Sequence, residues 1–239
     1  MAFQYFSGKV DSIRGLFTNA RRILGLIPDA RGYFNRRPHN YHRDEDNWPH
    51  AITPFTDALS NNRIARLAVS ENVLLIGNQS SFSMSQYPEY PATAGMSMVH
   101  IFAISTANFF NPVTMEAGDE VIINEMIEFF RSQWGLRPFR EAVLLHQWNA
   151  IQRRGRESGV GLQQAIDQYY ELEATIHELT IDDFAFGFHL YPENTVAHLH
   201  MHIVAMRDEF RRYSTREHDE KTKDALEVRD QIRRMNGSS

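Results

Sequence analysis

Apolar residues recur every three or four positions in several stretches of the chain, the pattern of a helix that buries one face. The first stretch, residues 9–28, places arginines beside its apolar positions and ends at Pro28, which cannot continue a helix. We expect this helix to pack on the domain instead of lying on a membrane surface. A second helix should begin at Thr114, a good N-cap, because acidic residues follow it closely. Helices are predicted over residues 9–28, 114–134, 138–157, 161–178 and 219–235.

Short apolar or alternating runs predict strands between and after these helices. The runs are Val73–Ile76, Ser97–Ile104, Phe184–Leu190 and His198–Ala205. The order of two strands, a group of helices and two more strands indicates an α+β fold with a mostly antiparallel sheet. We expect about five strands, a usual sheet size, with the strand from His198 at the centre. The helix over 114–134 should cross that sheet.

The same pattern suggests how the chain is organised. Residues 29–54 are polar and broken, which is typical of an arm, so residues 1–60 are predicted to be an N-terminal helical extension with that arm. Residues 61–206 should form the catalytic domain, with the helices of 138–178 as one insertion. Residues 207–239 should form a C-terminal tail and helix.

Composition excludes several classes of protein. The 239 residues are 42% hydrophobic and 12% aromatic, which is enough to bury a core. The net charge of −5, from 25 basic and 30 acidic residues, gives no reason to expect binding to duplex nucleic acid. The absence of cysteine excludes disulfides, iron–sulfur clusters, thiolate zinc sites and a cysteine nucleophile. Without a secretory pattern or an apolar run of about 20 residues, we expect no membrane association and a location in the cytoplasm, or in cytoplasm and nucleus.

Candidate chemistry is concentrated in the last predicted strand of the domain. Because side chains alternate between the two faces of a strand, His198, His200 and His202 should share one face. Leu199 and Met201 point the other way and can enter the core. Packing does not account for three imidazoles in a row, since each needs hydrogen-bond partners when it is buried.

Three interpretations of this strand compete. Imidazole is a good ligand for Zn²⁺ or Cu²⁺, so the strand could bind a metal. The histidines could instead form a structural hydrogen-bond ladder without chemistry. The third interpretation is catalytic: one imidazole attacks or moves a proton, while its neighbours fix its tautomer and donate to the substrate.

The seven residues from His198 to Val204 alternate histidine and apolar residues in the order that resembles the signature of the histidine triad superfamily. The run from Val99 to Ile104 with His100 is similar to an earlier strand of that family. The element from Phe188 to Pro192, which contains His189, most resembles the C-terminal domain of scavenger mRNA decapping enzymes. The resemblance covers residues 70–206 and is carried mainly by the triad.

The resemblance implies a function and a set of site residues. In this family the middle histidine attacks an α-phosphate to form a nucleotidyl-histidine intermediate, which water then cleaves, and His200 has that position. His198 and His202 would orient it and contact phosphate oxygens, with His100 in support. Substrate-binding roles would fall to His189, Asn194 and Thr195. The implied activity is hydrolysis or transfer on a nucleoside phosphate derivative: a phosphoramidate, a dinucleotide polyphosphate or a cap-like dinucleotide. The resemblance implies no metal and no cofactor, and a homodimer as the partner state.

The chain departs from the family pattern next to the triad. No glycine lies between Leu190 and His198, although relatives have a glycine-rich phosphate cradle there. Pro192 lacks an amide donor, and Glu193 adds a negative charge near the expected phosphate. The departures keep an alternative open beside nucleotide hydrolysis: a lyase or isomerase that uses His200 in acid/base chemistry on a non-nucleotide small molecule.

A binding module without catalysis is the third class of function.

Beyond the triad, Arg211 and Arg212 could fold back over the site and bind an anion.

Overall fold

The structure is a computed structural model, and it describes residues 12–26, 55, 66–79, 95–107, 109–157, 162–196, 198–212 and 214–235. Within these residues six strands form one antiparallel sheet, in the spatial order β1-β2-β3-β5-β4-β6. The strands are β1 (Arg66–Val69), β2 (Val73–Gly77), β3 (His100–Ser105), β4 (Phe184–His189), β5 (His200–Ala205) and β6 (Thr222–Asp224).

Helices pack on one side of this sheet. They are α1 (Ile13–Leu26), α2 (Val121–Trp134), α3 (Arg137–Glu157), α4 (Leu162–Thr175), α5 (Asp208–Arg211) and α6 (Ala225–Arg234), with short 3-10 turns at Pro112–Thr114, Ile176–Glu178 and Ile181–Asp183. The helix α2 contacts β2 and β3, α3 contacts β1 and β2, and α6 contacts β4 and β6. None of the described helices is long and apolar enough to cross a membrane.

The main hydrophobic core lies between the sheet and the helices. Alternate residues of the central strands, such as Met201 and Ile203 of β5, point into it, and α2 adds Phe130 and Trp134. The rings of Phe130 and Phe184 meet edge to face with their centroids 5.0 Å apart. Because this face is filled by helices, the remaining side chains of β3, β4 and β5 must point to the opposite face, and the histidines are among them.

The predicted α+β fold with an antiparallel sheet is confirmed, and the sheet has six strands where about five were expected. The two outermost strands, β1 and β6, were not predicted. Both are too short for alternation to be visible, and each depends on pairing with a neighbour, β1 with β2 and β6 with β4.

Two predicted helices begin later than their patterns indicated. The helix α2 begins at Val121 and not at Thr114, because Gly118 has a positive φ of 101° that a helix cannot accommodate. The Thr114 hydroxyl donates to the carbonyl of Asn111 within a 3-10 turn. The helix α6 begins after Asp224, whose carboxylate accepts from the amides of Leu226 and Glu227.

The two ends of the described chain share the core with the central domain. Phe17, Ala20 and Leu24 of α1 are buried in the main cluster. Arg21 donates from Nε to the carbonyl of Val113 at 2.7 Å and from Nη2 to that of Met115 at 2.8 Å. At the other end, β6 extends the sheet and α6 contacts α1. The predicted arm over residues 29–54 lies outside the described residues.

Candidate active site

Five buried histidines meet on the face of the sheet that is turned away from the helices. His200 and His202 of β5 point to this face, and the strand register places Phe102 of β3 opposite His202. The cluster consists of His100, His189, His198, His200 and His202, each no more than 7% exposed. Two small apolar clusters flank it, one formed by Phe55, Leu74, Ile76 and Ile104 and the other by Met96, Ala185 and Val204. The site therefore lies in the middle of the sheet, between apolar borders.

His200 presents an unprotonated nitrogen. Its Nδ1 lies 2.6 Å from the carbonyl oxygen of His198. Since a carbonyl can only accept, Nδ1 must carry the proton, and Nε2 of the neutral ring keeps its lone pair. Nε2 makes no hydrogen bond within the described residues. This nitrogen can therefore act as a nucleophile or as a base.

His202 presents the opposite tautomer, and a chain of contacts establishes it. The backbone amide of Met96 donates to Nδ1 of His100 at 3.3 Å, so this nitrogen is an acceptor. His100 then carries its proton on Nε2, which lies 3.1 Å from Nδ1 of His202 and donates to it. His202 in turn holds its proton on Nε2, which is buried without a hydrogen-bond partner in the described part of the chain.

An unsatisfied buried donor costs about 1–3 kcal/mol, and this N–H can donate to an acceptor that reaches it.

His189 is fixed by the C-terminal segment. The hydroxyl of Thr222 donates to the carbonyl of His218 at 2.6 Å, so the same oxygen must accept from Nε2 of His189 at 3.0 Å. Nδ1 of His189 therefore carries the lone pair. The rings of His189 and His202 are in tilted contact, with centroids 4.1 Å apart and planes inclined at 35°. The tautomer and this ring contact hold His189 against the side of His202.

His198 lies two residues before the start of β5, and its imidazole bonds to the main chain. Its Nε2 donates to the carbonyl of Ser105 at 2.8 Å, which joins the entry of β5 to the end of β3. Its own carbonyl orients His200. The main chain of His198 thus contacts His200, while its imidazole contacts the end of β3; the predicted orienting role of His198 stays a prediction.

Burial keeps the imidazoles neutral. Desolvation, the largest cause, lowers the pKa of His198 and of His200 to about 4, that of His100 to about 3 and that of His189 to about 2. The pKa of His202 is also lowered well below its ordinary value, first by desolvation and then by the neighbouring histidines. At neutral pH these rings are therefore uncharged. The ring nitrogen that is not fixed by a neighbour is an acceptor in His189 and His200 and a donor in His202.

Aromatic rings pack against His200. The Phe55 ring lies 4.6 Å from that of His200, and Phe102 meets His200 edge to face at 5.5 Å. Phe102 also meets His202 edge to face at 5.0 Å. These contacts limit the directions in which the His200 ring can turn.

Four other residues were predicted to bind the substrate, and each has its own surroundings in the structure. Asn194 is half-buried, and its Nδ2 donates to the carbonyl of Val196 while its Oδ1 is buried without a partner among the described residues. Thr195 is exposed. After β5, Arg211 is buried, donating to the carbonyl of Met96 at 2.9 Å and pairing with Asp219 at 2.6 Å. Arg212 is exposed. The binding of an anion by Arg211 or Arg212 stays a prediction.

Several residues of the site were not predicted from the sequence. They are Asn78, Met96, Phe102, His218, Lys221 and Thr222. The positive charge of Lys221 is among the causes that lower the pKa of His189, so it lies within electrostatic reach of the cluster. The signal for the C-terminal residues was weak, because a short polar strand such as β6 has no periodicity to detect.

No group of three or more histidine, aspartate or glutamate side chains among the described residues is arranged to hold a metal ion. Histidines that alternate along a strand spread their nitrogens along the sheet instead of directing them to one point. The expectation that the chemistry needs no metal stays a prediction.

Comparisons of the chain with family models, with curated proteins and with solved structures found no match. The arguments about function therefore depend on the motif and on the geometry of the site.

Proposed function

We propose that the protein is a histidine-triad-like hydrolase or transferase that acts on a nucleoside phosphate derivative through a nucleotidyl-histidine intermediate on His200. The observation that carries the proposal is the tautomer of His200, whose Nδ1–H is held by the carbonyl of His198 so that Nε2 keeps a lone pair. The motif from His198 to Val204 supports the same assignment. The substrate class would be phosphoramidates, dinucleotide polyphosphates or cap-like dinucleotides.

The reaction would proceed in two displacements at phosphorus. The lone pair of His200 Nε2 forms a bond to the α-phosphorus, and the bond from phosphorus to the leaving group breaks with its electron pair on that group, which takes up a proton. Water then attacks the same phosphorus, the N–P bond breaks, and the electron pair returns to Nε2 as the water releases a proton. The unpaired Nε2–H of His202 can donate to a phosphate oxygen in both steps.

A phosphate also requires positive charge, and Lys221 is the candidate. Its charge acts on His189, and it makes no ion pair within the described residues. Arg211 has its charge balanced by Asp219. Glu193 of the loop before the triad is exposed, which leaves it able to point away from an anion. These placements support a phosphate at the cluster despite the missing glycine-rich turn.

The test combines turnover with detection of the intermediate. Wild-type protein and His200→Asn are assayed against an adenosine phosphoramidate, a diadenosine polyphosphate and a cap dinucleotide, and samples quenched at alkaline pH are analysed by intact-mass spectrometry. We expect turnover and a nucleotidyl adduct in the wild type, and a loss of turnover of at least about 10³-fold in the variant. Asparagine can keep the donation to the carbonyl of His198, so the fold should survive.

The matched control is His177→Asn, which changes an exposed histidine and should retain full activity. His198→Asn and His202→Asn should lose less activity than His200→Asn. Absence of turnover and of adduct with every nucleotide in the panel would refute the proposal.

One observation favours a second candidate, a lyase or isomerase on a non-nucleotide small molecule. The aromatic rings of Phe55 and Phe102 pack on His200, and neutral imidazoles with opposite tautomers supply one base and one acid. A failed nucleotide panel together with a carbon-skeleton compound retained in the native protein, found by mass spectrometry, would favour this function.

A further inference from the structure

We propose that the side chain of Asn78 is a positioning group, which together with the backbone amide of Met96 fixes His202 as a hydrogen-bond donor to the substrate by acting through His100. Asn78 follows β2 directly, and its Nδ2 lies 2.9 Å from Nδ1 of His100. The inference rests on the proposed function in one respect, since it takes the group that His202 meets to be an oxygen of the substrate.

The direction of the hydrogen bonds is set at the Asn78 end. An asparagine amide can present either its oxygen or its NH₂ group, and these are exchanged by a flip of the side chain. The amide of Met96 decides between them, because this N–H also points at Nδ1 of His100 and makes that nitrogen an acceptor. Two donors therefore face one lone pair. Each following ring must then accept on Nδ1 and donate from Nε2, first His100 and then His202.

The two donors are held firmly in place. The backbone amide of Asn78 donates to the backbone carbonyl of His100 at 2.8 Å. The carbonyl of Asn78 accepts from Nε2 of His146, whose ring fills the space beside Gly77 where a Cβ would stand. On the other side, the Arg211 guanidinium donates to the carbonyl of Met96 and pairs with Asp219. Arg211, expected from the sequence to bind an anion, here secures the second donor.

This arrangement has a chemical consequence for the reaction. A neutral imidazole that is free to change tautomer offers a donor only part of the time, whereas His202 offers its Nε2–H permanently. His200 beside it offers only a lone pair, and the two ring centroids are 5.1 Å apart. The pair is thus arranged to meet an electrophilic centre and an attached oxygen acceptor together.

The test uses an isosteric substitution to reverse the direction of the hydrogen bonds that run from residue 78 through His100 to His202. In Asn78→Asp a carboxylate, which can only accept, faces Nδ1 of His100 and favours the proton there. His100 would then accept on Nε2, His202 would carry its proton on Nδ1, and its Nε2–H would be lost. The matched control is Asn78→Ala, which removes the contact and leaves the amide of Met96 to hold the original direction.

Two readouts are needed, and the first requires no substrate. Imidazole ¹⁵N NMR shifts report which nitrogen of His202 is protonated, and we expect Nε2–H in the wild type and in Asn78→Ala but Nδ1–H in Asn78→Asp. The second readout is turnover of the nucleotide panel. We expect Asn78→Asp to lose about 10²-fold or more in kcat, and Asn78→Ala to lose less than about tenfold.

The outcomes separate this inference from the proposed function. The expected ¹⁵N shifts in a protein without nucleotide turnover would support the positioning role and refute the hydrolase. An unchanged His202 tautomer in Asn78→Asp would overturn the inference, even with normal turnover. Equal losses of activity in the two variants, with matching losses of melting temperature, would also overturn it, because a purely structural residue behaves in that way.

Discussion

At the scale of single residues, the tautomer of each buried ring follows from the group bonded to one of its nitrogens, and for His200 and His100 that group can act only as acceptor or only as donor. The carbonyl of His198 accepts from His200, and the amide of Met96 donates to His100. Each such contact decides whether the other ring nitrogen is a hydrogen-bond donor or an acceptor. Identical side chains on neighbouring positions of one strand thereby acquire different chemical properties, which a search for histidines in the sequence cannot distinguish.

The role of Lys221 can be tested at this scale. If its ammonium group binds a substrate phosphate, Lys221→Met should raise KM for nucleotides about tenfold and change kcat little, because the interaction is present in the ground state as well as the transition state. Lys223→Met is the matched control, since Lys223 lies one residue beyond Thr222 on the opposite face of β6 and its Nζ donates to the carbonyl of Glu220. Steady-state kinetics of the two variants give the comparison, and equal effects would exclude a binding role for Lys221.

At the scale of elements, the site is assembled from segments that are far apart in the chain. The strands β3, β4 and β5 supply the histidines, residue 78 follows β2, and the segment around β6 supplies Thr222. Antiparallel pairing brings these pieces to one face, and helices occupy the other. The core formed by those helices therefore determines which face of β5 is left for chemistry.

The helix α1 provides a test at this scale, because it was predicted as an extension and is found in the main core. Phe17 is 1% exposed there. Phe17→Ala should lower the free energy of unfolding by about 3–5 kcal/mol, the usual cost of truncating a buried phenylalanine. The control, Arg22→Ala, removes an exposed side chain that donates a hydrogen bond to Asn19 and should change stability by less than about 0.5 kcal/mol. Urea unfolding measures both, and a small effect of Phe17→Ala would mean that α1 folds apart from the core.

At the scale of the whole molecule, the cluster couples the stability of the fold to pH. Five histidines are buried in neutral form, and their pKa values are lowered in the folded state. The unfolded chain, with an ordinary histidine pKa of about 6.5, binds more protons below that pH. The stabilisation is complete above about pH 6.5 and is lost progressively as the pH falls through the folded-state pKa values, from about 4 for His198 and His200 to about 2 for His189.

The expected result is a steep loss of stability on mild acidification. Each histidine contributes up to about 1.4 kcal/mol per pH unit in this range, so the free energy of unfolding should fall by at least about 3 kcal/mol between pH 7 and pH 5. His189→Gln, which can keep the donation to Thr222, should reduce the slope, and His177→Gln on the surface should leave it unchanged. Urea titrations at several pH values give the slope. A stability that does not depend on pH between 7 and 5 would show that the cluster is not buried in neutral form.

Local pattern was sufficient for part of this description. The period of apolar residues predicted the helices and the longer strands, and the alternation around His200 predicted that it shares a face with His202. Helix starts were less predictable, since the beginning of α2 depends on the backbone at Gly118 and that of α6 on capping by Asp224. The edge strands β1 and β6 were missed, because pairing with a neighbour defines them more than their own composition.

The sequence by itself determined that the protein has an α+β fold with an antiparallel sheet and three histidines that alternate with apolar residues, because periodicity and residue type are local properties. Only the tertiary structure decided which nitrogen of each histidine is a hydrogen-bond donor and which is an acceptor. The tautomers of His200 and His202 depend on carbonyl, amide and side-chain groups that approach from other strands, and the pairing of Arg211 with Asp219 depends on how the C-terminal segment folds back. Burial, which removes the charge from the cluster, is also a property of the assembled sheet and core, and no stretch of sequence specifies it alone.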